Sequence, residues 1–317
     1  MTSYPTRVLT ESWRGDPTDL IQRHSNLDSV DQSWQTSTSH TAAAASGMVQ
    51  TSIRVPAHGK PTEDFMPPAQ QTPGDTGAVV DVVLSQKGGV GKSTITVNLA
   101  AVIGENTRPN GPDEDAPVIA AGIDPQGSME KWADKVEEDA LPFDYVSTRG
   151  DNDMIPALKR DPLVRRIIVD CPGFMDIDPT AERSKDPLGH GAAADALRAV
   201  LEVADRAIVP INPEWLAFDP TEYTIERILR PRRIPFLVVV NRWDPRDGRE
   251  DLEKVEAWID EHGYPRTPQP IRKYKIHTNA AEKGLVVTRY AESGTALRAR
   301  EDFYKLAIAL DGLEVRS

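Results

Sequence analysis

Residues 85–94 read Ser85-Gln86-Lys87-Gly88-Gly89-Val90-Gly91-Lys92-Ser93-Thr94. Three glycines and two lysines in so short a run point to the capture of phosphate. Glycine lets a backbone turn its N–H groups inward with no Cβ in the way. Lys92, directly after the last glycine, can reach the outer phosphates of a nucleotide, and the Ser93 hydroxyl can ligate Mg²⁺. The run sits between an apolar segment, Val79–Ser85, and a helical pattern over Ser93–Gly104 carried by Ile95, Leu99, Val102 and Ile103. A helix starting here adds the positive end of its dipole to the loop. Gly88, Gly89, Val90, Gly91, Lys92, Ser93 and Thr94 are therefore the expected phosphate-binding residues.

Two carboxylates follow other predicted strands. Asp124 ends the segment Ala121-Gly122-Ile123-Asp124-Pro125-Gln126-Gly127-Ser128, where it could position an attacking water or cap the next helix. Asp170 ends the apolar run Ile167-Ile168-Val169 and is placed to hold Mg²⁺ through water. Cys171 reads as a small buried residue.

The variant K-G-G-x-G-K-[ST] resembles the deviant Walker A motif of the ParA/MinD family of ATPases, with both lysines and all three glycines present. The resemblance implies ATP and Mg²⁺ as cofactors. It implies that Lys87 reaches across an ATP-dependent homodimer to the partner's nucleotide, where a solvated loop lysine is the plainer alternative. It makes Lys87, Lys92 and Asp124 the catalytic set and Asp170 a Walker B aspartate, with Ser93 and Asp170 at the metal. The Asp124 segment looks like the family's D-x-D-P-Q-G, with Gly122 where its first aspartate is usual. Pro210–Trp215 and Val238–Arg242 look like its base-pocket loops, so Pro213 and Asn241 are expected at the nucleotide, Asn241 on the adenine edge or else as a simple turn former. The likeness runs through Ile271–Ile276, Ala281–Gly284, Tyr290–Ser293 and Tyr304–Ala307. It does not cover the first 77 residues.

These residues need a scaffold, and from Ala78 strands and helices alternate. Strands are expected at Val79–Ser85, Val118–Ile123, Phe143–Val146, Arg166–Asp170, Ala207–Pro210 and Phe236–Asn241. Helices are expected at Ser93–Gly104, Ser128–Glu138, Asp153–Arg160, Ala192–Ala204, Pro220–Arg230, Asp251–His262 and Thr295–Leu310. Apolar strands joined by helices imply an α/β, P-loop NTPase-like fold: a mostly parallel sheet with helices on both faces. Residues 1–77 differ. They hold ten Ile, Leu, Val or Phe against twenty Ser or Thr and seven Pro. So little apolar surface cannot offset the entropy of ordering. They are expected to be a disordered or partner-binding tail with at most one short helix, Asp16–Val30, and residues 78–317 to be the ATPase domain.

The 317 residues carry 37 Lys or Arg against 49 Asp or Glu, a net charge of −12, which argues against a protein that coats DNA by bulk charge. Yet Arg227–Lys305 holds 17 cations against 12 acids. Arg230, Arg232 and Arg233 form its densest cluster, with Arg272 and Lys275 further on. A basic face of this kind would hold phosphate backbones without reading sequence, unless the charges are merely solvated. One cysteine excludes cysteine-pair metal and iron–sulfur chemistry within a chain. No run approaches a membrane span, and nothing at the start reads as a secretory signal. The favoured expectation is a cytoplasmic, nucleoid-associated ATPase that binds DNA nonspecifically and segregates plasmid, chromosome or phage DNA with a ParB-like partner. The alternatives are a ParA-like positioner of protein cargo and a MinD-like division-site ATPase. The latter ends in a basic amphipathic helix; Ala307–Ser317 carries one cation and two acids, so no membrane partner is expected.

Overall fold

The computed structural model describes residues 8–9, 77–107, 117–124, 127–137, 141–148, 150–174, 186–291 and 293–316. Apart from Val8, Leu9 and Gly77, the expected tail lies outside these residues, and so does its Asp16–Val30 helix.

Among the described residues, eight parallel strands make one sheet. They are β1 (Val8–Leu9), β2 (Val79–Val83), β3 (Val118–Gly122), β4 (Asp144–Ser147), β5 (Arg166–Asp170), β6 (Arg206–Ile211), β7 (Phe236–Trp243) and β8 (Ile271–Arg272). Their spatial order is β1-β4-β3-β5-β2-β6-β7-β8. β2 lies between β5 and β6, with Val82 opposite Val169 and Ala207. Two strands were not expected. Val8–Leu9 pairs with Tyr145 and Val146 at one edge, and Ile271–Arg272 pairs with the end of β7 at the other. Each is only two residues long, too short for a period-of-two pattern to show.

The helices are α1 (Lys92–Thr107), α2 (Ser128–Ala133), α3 (Met154–Arg160), α4 (Ala192–Val203), α5 (Phe218–Tyr223), α6 (Glu250–Glu261), α7 (Lys275–Glu282) and α8 (Gly294–Asp311). They cover both faces, as the all-parallel sheet requires. Successive strand residues point to opposite faces. Val80, Val82 and Leu84 thus join one core with Leu197 and Leu201 of α4 and Leu252, Val255 and Ile259 of α6. Val83 joins the other, with Ile95, Leu99 and Val102 of α1 and Phe303 and Leu306 of α8.

Asp81 interrupts the apolar pattern of β2 and is fully buried. Arg166 Nε lies 2.6 Å from its Oδ2 and Arg206 Nε 2.8 Å from its Oδ1. Arg206 also donates to the Leu310 carbonyl at 2.8 Å, which ties the end of α8 to the sheet. Removing either partner would leave a buried charge, the costly case for such pairs.

Helix α7 (Lys275–Glu282) was not expected, and two of the expected helices differ in extent or type. α2 ends at Ala133 because the chain tightens into three-residue turns, with Lys135 N–H on Trp132 O and Val136 N–H on Ala133 O. The single helix expected over Pro220–Arg230 is α5, then a π-helical segment Thr224–Leu229, then a 3₁₀ turn Arg230–Arg232. The Thr221 and Thr224 hydroxyls bond the carbonyls of Ala217 and Pro220, and Pro231 has no N–H to give. Both effects disturb a regular ladder.

Candidate functional site

Parallel strands end together, and their C-terminal ends collect the candidate residues. The 85–91 loop follows β2, Asp124 follows β3, Asp170 ends β5, Asn212–Glu214 follow β6, and Asn241–Asp244 close β7.

Gly89 and Gly91 take φ of 75° and 90°, values glycine adopts freely. A Cβ on Gly91 would stand 2.4 Å from the Asn241 amide nitrogen, so any larger residue would displace the Asn241 side chain. Asn241 Nδ2 donates to Val90 O at 2.6 Å, and Arg242 Nη1 donates to Gly89 O at 2.6 Å. A trans peptide points its N–H opposite its C=O. With those two carbonyls held by β7, the N–H groups of Val90 and Gly91 face the other way, as anion capture needs. Gln86 N–H is bound by Thr224 Oγ1 at 3.1 Å, which fixes the start of the loop.

Lys92 opens α1 and is buried. Its Nζ rests on the carbonyls of Ser85 and Lys87, both at 3.4 Å. Burial pulls its pKa down, while the charges of Asp170, Cys171 and Asp124 push it back up. These long, weak contacts leave the ammonium ready to exchange carbonyls for phosphate. Ser93 Oγ donates to Asp170 Oδ2 at 2.5 Å. Asp170 Oδ1 is buried with no hydrogen-bond partner. Burial raises the Asp170 carboxyl to about 7, against the lowering effects of Ser93 and Lys92. A hydroxyl, a carboxylate and an orphaned buried oxygen form a hard oxygen donor set, so the residues present fit Mg²⁺.

Asp124 is half-buried and close enough for its charge to act on both Lys92 and Asp170. The N-cap of α2 is Gly127, with φ 62°, and not Asp124. Beside Gly122, a Cβ would stand 3.0 Å from the Tyr145 hydroxyl. Tyr145 of β4 thus fills the space into which a carboxylate at position 122 would project. Cys171 is buried, and burial pushes its thiol up, away from a nucleophile's range.

A pocket of about 330 Å³ opens beside the loop, lined among others by Asn212, Pro213, Glu214, Arg242, Trp243 and Asp244. Pro213, expected at the nucleotide, is one of the residues lining this pocket. Asn241, expected on a base edge, has its amide committed: Nδ2 on Val90, and Oδ1 accepting from Arg242 N–H at 2.9 Å. Asn212 lines the pocket, and its Oδ1 is buried without a hydrogen-bond partner. The sequence reading passed over Asn212, although it adjoins Pro213 in the loop identified as a base pocket. Asp244 adds a second acceptor, its carboxyl held well below the usual range by hydrogen bonds from the Arg246 side chain and backbone.

Lys87 Nζ pairs with Glu214 Oε2 of the same chain at 3.0 Å. The two basic groups lie at opposite ends of β7. Arg230–Arg233 precede the N-terminus of β7, whereas Arg272 ends β8, which pairs with the other end of β7, and Lys275 follows it. Eight strand residues, roughly 25 Å, separate the two groups. Arg230 is paired with Glu226, and Arg232 donates to Ile228 O. Arg272 is locked by Asp302 and Glu301. Arg233 and Lys275 are exposed.

A glycine-rich loop between a central parallel strand and a helix, with a serine and a strand-end aspartate beside it, defines a P-loop nucleotide-binding protein. The family model described as the CobQ/CobB/MinD/ParA nucleotide binding domain matches residues 81–315. The chain belongs to that family, and the ParA/MinD resemblance of its sequence holds. It is 30% identical over 232 residues to the maintenance of carboxysome distribution protein A of Gloeobacter kilaueensis, covering 73% of this chain and 94% of that one. Its fold is similar to that of the MinC:MinD cell division complex of Aquifex aeolicus, with a TM-score of 0.56 at 16% identity over 76% of this chain and 98% of that one. It is also similar to a variant of Cyanothece McdA in complex with ATP, with a TM-score of 0.51 at 15% identity over 74% and 97% of the two chains. Among the described residues no helix is long and apolar enough to cross a membrane.

Proposed function

We propose that this protein is an ATPase that dimerises on ATP and positions a protein cargo in the cell. The observation that carries the nucleotide half is the joining of Lys92, Ser93 and Asp170 at the mouth of a loop whose carbonyls are turned away by Asn241 and Arg242. Lys92 and the loop N–H groups bind the phosphates. Ser93 and Asp170 would hold Mg²⁺, which when bound offsets phosphate charge. Asp124 stands at the same strand ends, where it orients the attacking water. Asn212 and Asp244 line the pocket in which the base would sit. Lys87 supplies charge across a dimer that brings two triphosphates together.

The choice of cargo rests on the relative. The Gloeobacter protein is named for the distribution of carboxysomes, not of DNA, and the similarity spans nearly all of it. That favours cargo positioning over the DNA segregation with a ParB-like partner that the sequence led us to expect. The separation of the two arginine groups and the locking of Arg272 point the same way. Tagging the chain in its host and replacing Lys92 with Ala tests the reading. Protein bodies that lose even spacing while replicon inheritance is unchanged support it. Lost inheritance with normal body spacing would restore DNA segregation.

A further inference from the structure

The run Asn241-Arg242-Trp243-Asp244-Pro245-Arg246 carries the chain out of β7. Arg242 takes φ of 63°, where the pairing of β7 with β8 shifts register between Asn241 and Trp243. Around this irregular point Asn241 and Arg242 both hold loop carbonyls, while Trp243 and Asp244 line the pocket. Asp244 is 6% exposed at its side chain and Arg246 85%. Asp244 caps the 3₁₀ turn Pro245–Asp247, its Oδ1 accepting from the Arg246 N–H at 3.1 Å. The Arg246 guanidinium then closes on the same carboxylate as a fork, Nε on Oδ1 at 2.9 Å and Nη2 on Oδ2 at 2.7 Å. The two residues are neighbours in the chain, so the pair joins no distant elements. What it changes is the carboxylate. A carboxylate offers about four lone-pair positions. Arg246 takes three of them, two on Oδ1 and one on Oδ2.

We propose that Arg246 is a specificity-determining residue: its fork occupies the carboxylate edge of Asp244 that would otherwise take guanine, and so keeps the pocket for adenine. The inference rests on the nucleotide pocket proposed above and adds the basis of its choice of purine. A bare carboxylate accepts two parallel N–H groups. A guanidinium fork supplies them, and so does guanine, whose N1–H and 2-amino group stand side by side. Adenine carries a lone pair on N1 instead, which a bare negative charge repels. With Oδ1 filled and Oδ2 half used, guanine cannot place both of its N–H groups on Asp244. With the charge offset by the guanidinium, adenine N1 meets no bare anion. The exposed arginine thus reads no base itself. It acts through the buried aspartate.

The test titrates the full-length chain with ATP and with GTP, each labelled on the ribose so that the base is untouched. Wild type is expected to prefer ATP. Arg246→Ala is expected to shift the ratio of the two affinities at least ~10-fold toward GTP, the scale of one hydrogen bond to a charged group. The shift should come from tighter GTP binding, with ATP weakened no more than a few-fold. Arg246→Met keeps the length of the side chain without its fork and is expected to behave in the same way. Adding Asp244→Asn to Arg246→Ala is expected to cancel the gain in GTP binding, because an amide offers one acceptor oxygen where the carboxylate offered two. A ratio unchanged in both single variants would overturn the proposal. Equal loss of both nucleotides, or loss of cooperative melting in both variants, would make Arg246 a brace for the turn and overturn it as well. A wild-type chain that bound GTP as tightly as ATP would refute the choice of purine alone. One that bound neither would refute the nucleotide pocket on which the inference rests.

Discussion

Ser93 Oγ and Asp170 Oδ2 lie 2.5 Å apart although 77 residues separate them in the chain. The contact joins the start of α1 to the end of β5 and leaves the other Asp170 oxygen buried and unpartnered. A raised carboxyl pKa favours the folded state while that carboxyl is protonated. The stability it contributes is present below the unfolded value, near 3.8, and is lost as pH rises toward about 7. The melting temperature of metal-free wild type should therefore fall across that window relative to Asp170→Asn. Reading the difference between the two proteins is necessary because buried His277, whose pKa is lowered, destabilises in acid. Mg²⁺ should stabilise wild type more at pH 8 than at pH 5, and Asp170→Asn little at either. Parallel melting curves for the two proteins would contradict the assignment.

Lys92 and Lys87 should separate binding from assembly. Lys92→Ala removes the buried cation at the loop and should abolish detectable binding of a fluorescent ATP analogue. Lys87→Ala should keep monomer affinity within a few-fold and lose ATP-dependent dimerisation or turnover. Equilibrium titration and sedimentation report the two steps independently.

The N-cap position of α2 is Gly127, and the Asp124 charge acts on Lys92 and Asp170, so replacing Asp124 should act chiefly on chemistry. Asp124→Ala is expected to slow phosphate release by at least about tenfold and to prolong the ATP-bound dimer, with melting within about a degree of wild type. Steady-state phosphate release with a thermal scan distinguishes this from a structural role. Wild-type turnover would rule out the water-positioning assignment.

Asn241 holds the loop through Val90 O and shapes the room beside Gly91. Asn241→Ala deletes that hydrogen bond and should weaken nucleotide binding by roughly tenfold, the scale of about 1.4 kcal/mol for a buried bond. Asn212→Ala should instead reduce discrimination between ATP and nucleotides lacking an exocyclic amine. Competition titrations with ATP and ITP measure both. If the two variants exchanged phenotypes, Asn241 would be the base reader after all.

Residues 78–317 alone should fold and bind ATP. Among the described residues, both buried cores come from this span, and from outside it β1 contributes a two-residue edge strand. A melting temperature within a few degrees of the full chain and unchanged affinity are expected. Loss of cooperative melting in the shortened chain would show that the first 77 residues are part of the core.

What the sequence determined by itself is local. Three glycines, two lysines and a serine between an apolar strand and a helix specify a phosphate loop because backbone freedom, charge and dipole act within a few residues. Apolar runs likewise located β2 through β7. The two-residue strands were invisible because a pattern of period two needs more than one repeat. The π-helical turn at Thr224–Leu229 was also hidden, since threonine hydroxyls and a proline disturb a helix only in proportion to how they are oriented. Tertiary structure decided everything that depends on which distant groups meet. It gave the Asn241 amide a partner in Val90 and left Asn212 Oδ1 buried without one. It filled the space at Gly122 with Tyr145 and closed Lys87 onto Glu214. It set Arg230–Arg233 and Arg272 at opposite ends of β7, because parallel strands carry their entering and leaving loops to opposite edges of the sheet. Charge counted along the chain suggested one basic face. The direction in which each strand runs divided it.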